Sequence, residues 1–166
     1  SGPHQGGDFG FAQDPTAAIR CWIQDDTLYI SHEAGRVQLE LDDTPDFVCR
    51  AIPGFADYTT RWDSSRPESI SHLQRHGLPK STAVSKWPGS VEDDIAFLRS
   101  FKRIVVHPRC VETTKELRLY SHKVDRLSGD VLPGIVDAHN HYLDALRYAV
   151  GPLIKRRDAE VRIMRR

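Results

Sequence analysis

Residues 136–150 read VDAHNHYLDALRYAV. At about 3.6 residues per helical turn, Asp137, His141, Asp144 and Tyr148 fall on one narrow stripe. Tyr142, Leu146, Ala149 and Leu153 fall on the opposite side, with Leu143 and Val150 beside them. One face is therefore built for burial. The other offers two carboxylates and an imidazole, which can hold a hard divalent cation and manage a proton. A solvated face with ordinary charges is the plainer reading. Against it, no Lys or Arg interrupts the acids along the stripe, and like charges at helical spacing repel unless a cation neutralises them. Arg147, at the edge of the stripe, is a candidate counter-charge.

Two further carboxylates stand where a site is often built. Asp8 lies inside HQGGDFGF, which reads as a first, central strand whose glycines at 6, 7 and 10 leave room for close backbone approach. A charge there needs a reason: catalysis, metal binding or a turn aspartate. Asp63 follows the strand YTTRW and faces a helix opened by Pro67. A strand end beside a helix start is a favoured location for a site in α/β folds.

The elements that must position these groups follow in order. Residues 16–23 and 27–32 read as strands joined by Gln24-Asp25-Asp26, so the first three strands form an antiparallel meander. Thr44 and Pro45 open a helix, with Thr44 as its cap, and Pro53-Gly54 closes it. After the strand at 58–62 and the helix PESISHLQRHG come a short strand at 81–86 and a helix at 89–101. That helix turns Val91, Ile95 and Leu98 inward. The strand RIVVH and a helix at 111–120 follow, the latter packing Leu117 and Tyr120. Residues 121–133 read as two extended arms around Ser128-Gly129-Asp130, a hairpin with His122, Lys123 and Arg126 on its first arm. Residues 1–154 make one domain, and residues 155–166 a basic tail with six Lys or Arg and two acids, expected to fray.

Composition narrows the classes. No run approaches the roughly 20 apolar residues of a membrane span. The opening SGPHQGG lacks the basic-then-apolar pattern of a secretion signal. Cys21, Cys49 and Cys110 are far apart and form no CxxC pair, which argues against a zinc knuckle or disulfide framework and suits a reducing compartment. Residues 1–60 carry 3 basic and 10 acidic side chains, a net −7; the remainder carries 20 and 13, a net +7. An acidic region beside a basic one suits a cation-filled site that meets a polyanion, unless folding mixes the two. His139-Asn140-His141 spells HNH, but that nuclease motif names separated residues of another fold. No HExxH and no GxSxG is present, and GDFG lacks the companions of a kinase.

Three strands, then alternating helices and strands, then a terminal helix suit an α/β ribonuclease H-like fold, a mixed central sheet with helices on both faces. That architecture brings the ends of the first and fourth strands to one face of the last helix. Asp8, Asp63 and Asp144 then converge, with His141 and Asp137 beside them. Two divalent ions about 3.5–4 Å apart can span a scissile phosphate there.

The chain resembles the C-terminal nuclease domain of the large terminase subunit of tailed bacteriophages. The resemblance runs over nearly the whole chain. It is most specific in KWPGSVEDDIAFLRSF, RIVVHP with Cys110, ELRLYSHKVD and DAHNHYLDALRYAV, and it includes GGDFGFAQDPTA and RWDSSRPESI. It implies a metal-dependent endonuclease that cuts concatemeric double-stranded viral DNA during genome packaging, using two Mg²⁺ or Mn²⁺ ions. By position, Asp8, Asp63 and Asp144 match the catalytic acids, His141 a histidine of some members, and Asp137 an additional acid. The implied partners are double-stranded DNA, an N-terminal ATPase domain of the same polypeptide, the small terminase subunit and the portal protein, in the host cell cytoplasm and with no membrane. No GxxxxGK[ST] occurs in this chain, so an ATPase half lies elsewhere. A resolvase- or transposase-like enzyme of the same fold and a non-catalytic DNA-docking module are the competing readings. Arg66, Lys86, Lys123 and Arg126 are candidate phosphate contacts, each equally able to be a solvated surface charge.

Overall fold

A computed structural model describes the backbone of residues 1–126 and 140–164, and the side chains of residues 1–120 and 140–154. Strands β1 (His4–Asp8), β2 (Thr16–Gln24) and β3 (Thr27–Arg36) form the expected antiparallel meander. Asp25 and Asp26 make the tight turn between the last two with positive φ, which their short polar side chains tolerate. Helix α1 (Thr44–Ala51) leads to β4 (Thr60–Trp62), α2 (Pro67–Arg75), β5 (Ser81–Ala83), α3 (Ser90–Arg99), β6 (Arg103–Val106), α4 (Val111–Arg126) and α5 (His141–Met164). The sheet order is β5-β4-β1-β2-β3-β6. Strand β4 runs parallel to β1, β5 parallel to β4, and β6 parallel to β3. The sheet is therefore mixed, with β1 in its interior.

Alternation along the strands sends neighbouring side chains to opposite faces. Ile19 and Cys21 join Leu28 and Ile30 against Leu98 of α3 and Leu143, Leu146, Ala149 and Val150 of α5, with Leu117 of α4 at the margin. Ala18, Ala34 and Trp62 face the other way, against Val48 of α1 and Ile70 and Leu73 of α2. Both faces are covered, as a ribonuclease H-like sheet requires. The face of α5 assigned to burial packs as expected, and Ala145, Arg147 and Tyr148 outside it are buried as well. Cys21 and Cys110 are buried and Cys49 is partly so, all three as free thiols. Among the described residues no helix is long and apolar enough to cross a membrane.

The sheet meets α5 at unusually short range. A Cβ placed on Gly6 would lie 2.0 Å from the Ala145 carbonyl oxygen and 2.6 Å from the Ala149 nitrogen. Gly6 thus lets the α5 backbone rest directly on β1. On the opposite face, the missing side chain of Gly7 makes room for the Trp62 ring, 2.4 Å from where its Cβ would stand.

Three local expectations change. Thr44 does not cap α1 from outside: it is the first helical residue, and its hydroxyl donates to the Glu40 carbonyl at 2.9 Å. A short 3-10 turn, Leu41–Asp43, precedes it and supplies the first turn instead. Residues 121–126 are not an extended arm, because α4 continues through Arg126. Lys123 and Arg126 therefore lie on a helix; the rest of the expected hairpin lies outside the described residues. The last helix starts at His141 rather than at residue 136, and Asn140 precedes it without helical structure. Asp137 lies outside the described residues.

Candidate active site

Asp8 ends β1, and Asp63 directly follows β4, the parallel neighbour of β1. The residues beside them lock the two strand ends together: Phe9 stacks on Trp62 with ring centroids 4.7 Å apart. Gly6 and Asp8 share one face of β1, so the close approach at Gly6 brings the first turns of α5 over Asp8. His141 Nδ1 lies 3.6 Å from Asp8 Oδ2, and its Nε2 lies 3.1 Å from Asp14 Oδ1. The imidazole is thus held between a carboxylate at the strand end and one in the loop that follows.

The three sequence-selected acids are electrostatically one group. Burial pushes the Asp8 carboxyl up to about 7, and the charges of Asp144 and then Asp63 add to the rise. Arg147 and Lys86 offset it only in part. The other two acids each hold a cation. Lys86 Nζ lies 2.5 Å from Asp63 Oδ1, and the Ser65 hydroxyl donates to Asp63 Oδ2 at 2.8 Å. Burial alone would raise Asp63; the hydrogen bonds from Lys86 and Ser65 outweigh it and hold this carboxyl below its ordinary range. Arg147 donates to Asp144 Oδ1 from Nη2 at 2.9 Å and from Nε at 3.3 Å. The counter-charge role expected for Arg147 is what its contacts show. Tyr148 lies beneath both cations, with Lys86 Nζ and the Arg147 guanidinium each 5.3 Å from its ring centre. Burial, then the charges of Asp8, Asp63 and Asp144, raise its hydroxyl well above the ordinary range.

This chemistry fits a hard divalent cation. The acids supply oxygen donors, burial and then their mutual repulsion lift Asp8, and two of them have recruited the nearest ammonium and guanidinium as stand-in charges. Among the described residues, however, no three His, Cys, Asp or Glu side chains form a ready-made ligand cluster. Asp8 feels the charges of Asp63 and Asp144, and Lys86 is drawn onto Asp63. Arg66 is exposed at the start of α2, and Lys86 is engaged by Asp63.

Three positioning groups escaped the sequence. Asp14 was legible only as half of an Asp-Pro turn. Asp94 is 5% exposed, and its Oδ2 accepts from Arg147 Nη1 at 3.1 Å. Burial pushes its carboxyl up to about 6, and Arg147 pulls it back. A signal for it existed: Val91, Asp94, Ile95 and Leu98 share the i, i+3, i+4, i+7 spacing of a buried face. Glu116, on α4, accepts the backbone N–H groups of Tyr142 and Leu143 at 3.3 and 2.9 Å. It caps α5 from another element, satisfying donors that a helix start leaves open. Glu33 does the same for α4 at Glu112 and Thr113. Glu116→Ala is expected to lower stability by on the order of 1 kcal/mol. His141 and Asp144 ride on the turn that Glu116 holds. Urea unfolding would show the effect, and an unchanged midpoint would deny the cap any role.

Comparison with known proteins gives the site its context. The family described as "Terminase RNAseH like domain" matches residues 8–151. The large terminase subunit of Bacillus phage SPP1 is 34% identical over 150 residues, covering 87% of this chain and 35% of that protein. The PBSX phage terminase large subunit of Bacillus subtilis is 26% identical, covering 87% and 33%. The chain thus spans about a third of the length of these relatives. The crystal structure of the SPP1 large terminase nuclease domain with bound Mn aligns with a TM-score of 0.75 at 29% identity, covering 90% of this chain and 85% of that one. The P22 large terminase nuclease domain shares the fold, with a TM-score of 0.59 at 19% identity. With the matched family running from Asp8 at the end of β1 through Asp144 on the last helix, the chain belongs to the terminase RNase H-like domain family, that of the phage large-terminase nuclease domains.

Proposed function

We propose that this chain is the nuclease part of a large terminase subunit, a divalent-metal-dependent endonuclease that cuts concatemeric double-stranded viral DNA during packaging. The observation that carries this reading is the coupled set of Asp8, Asp63 and Asp144, whose negative charge has drawn Lys86 and Arg147 onto two members. Asp8, Asp63 and Asp144 would hold two Mg²⁺ or Mn²⁺ ions, with Asp137 and His141 as further ligands. Bound metal supplies an activated water and neutralises charge on the scissile phosphate. The chain's own residues do the rest. Asp14 and Asp8 hold His141 ready to move a proton at a ring nitrogen. Lys86, once released by Asp63, offers an ammonium to the phosphate backbone, with Arg66, Lys123 and Arg126 as further contacts. Such contacts carry no base information, so binding should be salt-sensitive and nearly indifferent to sequence.

The relatives' greater length supports a longer polypeptide; the terminase reading gives it an N-terminal ATPase domain and, as partners in the host cell cytoplasm, a small terminase subunit and a portal protein. The deciding experiment is nicking of supercoiled plasmid with Mg²⁺, Mn²⁺, Ca²⁺ or EDTA, beside a branched substrate. Cleavage of linear and supercoiled DNA in Mg²⁺ or Mn²⁺ supports the proposal. Preference for the branched substrate favours a resolvase-like enzyme, and binding without cutting leaves a docking module.

His141→Ala is expected to slow cleavage roughly ten- to a hundredfold without abolishing it, since proton transfer by a positioned side chain contributes on this scale or more. The loss should differ between Mg²⁺ and Mn²⁺, because an imidazole ligates Mn²⁺ better. Rates equal to the parent in both metals would leave His141 with no part in the reaction.

A further inference from the structure

Arg147 presents its fork to two acids at once. Nη1 donates to Asp94 on α3, while Nη2 and Nε both donate to Oδ1 of Asp144 on its own helix. Both Asp94 and Arg147 are buried, at 5% and 7% exposure. Among the described residues Asp94 Oδ1 has no hydrogen-bond partner. A buried carboxylate left half-satisfied is a poor device for stability, since a well-packed apolar pair in its place is often as good or better. The helices it joins already share an apolar cluster that includes Leu98, Ala149 and Val150.

Charge offers a better reason. Asp144 alone carries −1. Arg147 fixes its Oδ1 but would cancel that charge, leaving a site that holds its shape and attracts a cation less strongly. Asp94 restores the balance: Asp94, Arg147 and Asp144 together carry −1, with the geometry of Asp144 fixed. The face of Tyr148 restrains the guanidinium further, 5.3 Å from it.

We propose that Asp94 is a positioning residue for the metal site, acting through Arg147 to hold Asp144 in place at the full negative charge a divalent cation requires. This rests on Asp144 being a metal ligand. Groups that orient ligands typically contribute ten- to a hundredfold in metal affinity. Asp94→Asn removes the charge with little change of shape and is expected to weaken Mn²⁺ binding about tenfold, read by calorimetric titration and by the metal-induced rise in melting temperature.

A second variant separates positioning from scaffolding. Asp94→Leu combined with Arg147→Met replaces the buried pair by apolar side chains. It should melt near the parent temperature without metal and still bind Mn²⁺ at least tenfold more weakly. Parent-like Mn²⁺ affinity in both variants would overturn the positioning role while leaving the nuclease reading intact. If the parent itself takes up no Mn²⁺, the metal-site reading fails, and this inference fails with it.

Discussion

Asp8→Asn is expected to abolish cleavage, by on the order of a thousandfold or more, and to raise the melting temperature of the metal-free domain at pH 8. The two effects share one cause. Asp8 is 8% exposed and faces the charges of Asp144 and Asp63. Its ionised form is therefore disfavoured in the folded chain, which holds its proton up to about pH 7. The unfolded chain releases it near the ordinary carboxyl value of 3.8. Between these values the native state binds more protons, so stability falls as pH rises through the window and levels off above it. The accumulated loss is on the order of 4 kcal/mol. Asparagine keeps the shape and removes the charge, and so removes this part of the pH dependence. It also removes a carboxylate from the proposed metal site.

Thermal melts of parent and variant with EDTA from pH 5 to pH 8 test the sign. The parent should lose stability across the range and the variant should lose less. Added Mg²⁺ or Mn²⁺ should stabilise the parent at pH 8 by on the order of 1–3 kcal/mol and the variant little, since an ion that binds only the folded state shifts the equilibrium by mass action. A parent melting temperature that climbs from pH 5 to pH 8 in EDTA would contradict the raised Asp8 carboxyl. Retained nicking by the variant would exclude Asp8 from the catalytic set.

The second large effect is expected from Gly6→Ala. A methyl group there meets backbone atoms of α5, Ala145 O and Ala149 N, which have no rotamer to yield. Either α5 lifts from β1 or the strand shifts. Overpacking of this kind costs about 3 kcal/mol, or more where backbone must move. For a domain of this size that corresponds to a fall of roughly 6–12 °C in melting temperature. The same displacement carries His141 and Asp144 away from Asp8, so cleavage should be lost even below the melting transition. Circular dichroism melts and plasmid nicking measure the two separately. A variant with the parent's melting temperature would mean that α5 does not rest on β1 at Gly6.

The sequence determined most of the local elements and singled out the acids as candidates. Alternation in β2 and β3 and the apolar spacing of α3 and α5 are periodic signals, and the period alone sets which side chains turn inward. The stripe of His141, Asp144 and Tyr148 was legible in this way, as were Asp8 in a glycine-rich strand and Asp63 at a strand end. Where neighbouring residues compete for a role, the reading was less secure: Thr44 became a helical residue because the turn before it took over the cap. The tertiary structure decided what surrounds each acid. Lys86 on Asp63, Arg147 on Asp94, Asp14 on His141 and the Glu116 cap on α5 join residues 23, 53, 127 and 26 positions apart. No periodicity relates such residues. Their pairing follows from which strand ends and helix starts the sheet order brings together, and from the low dielectric there, which penalises a buried charge without a partner.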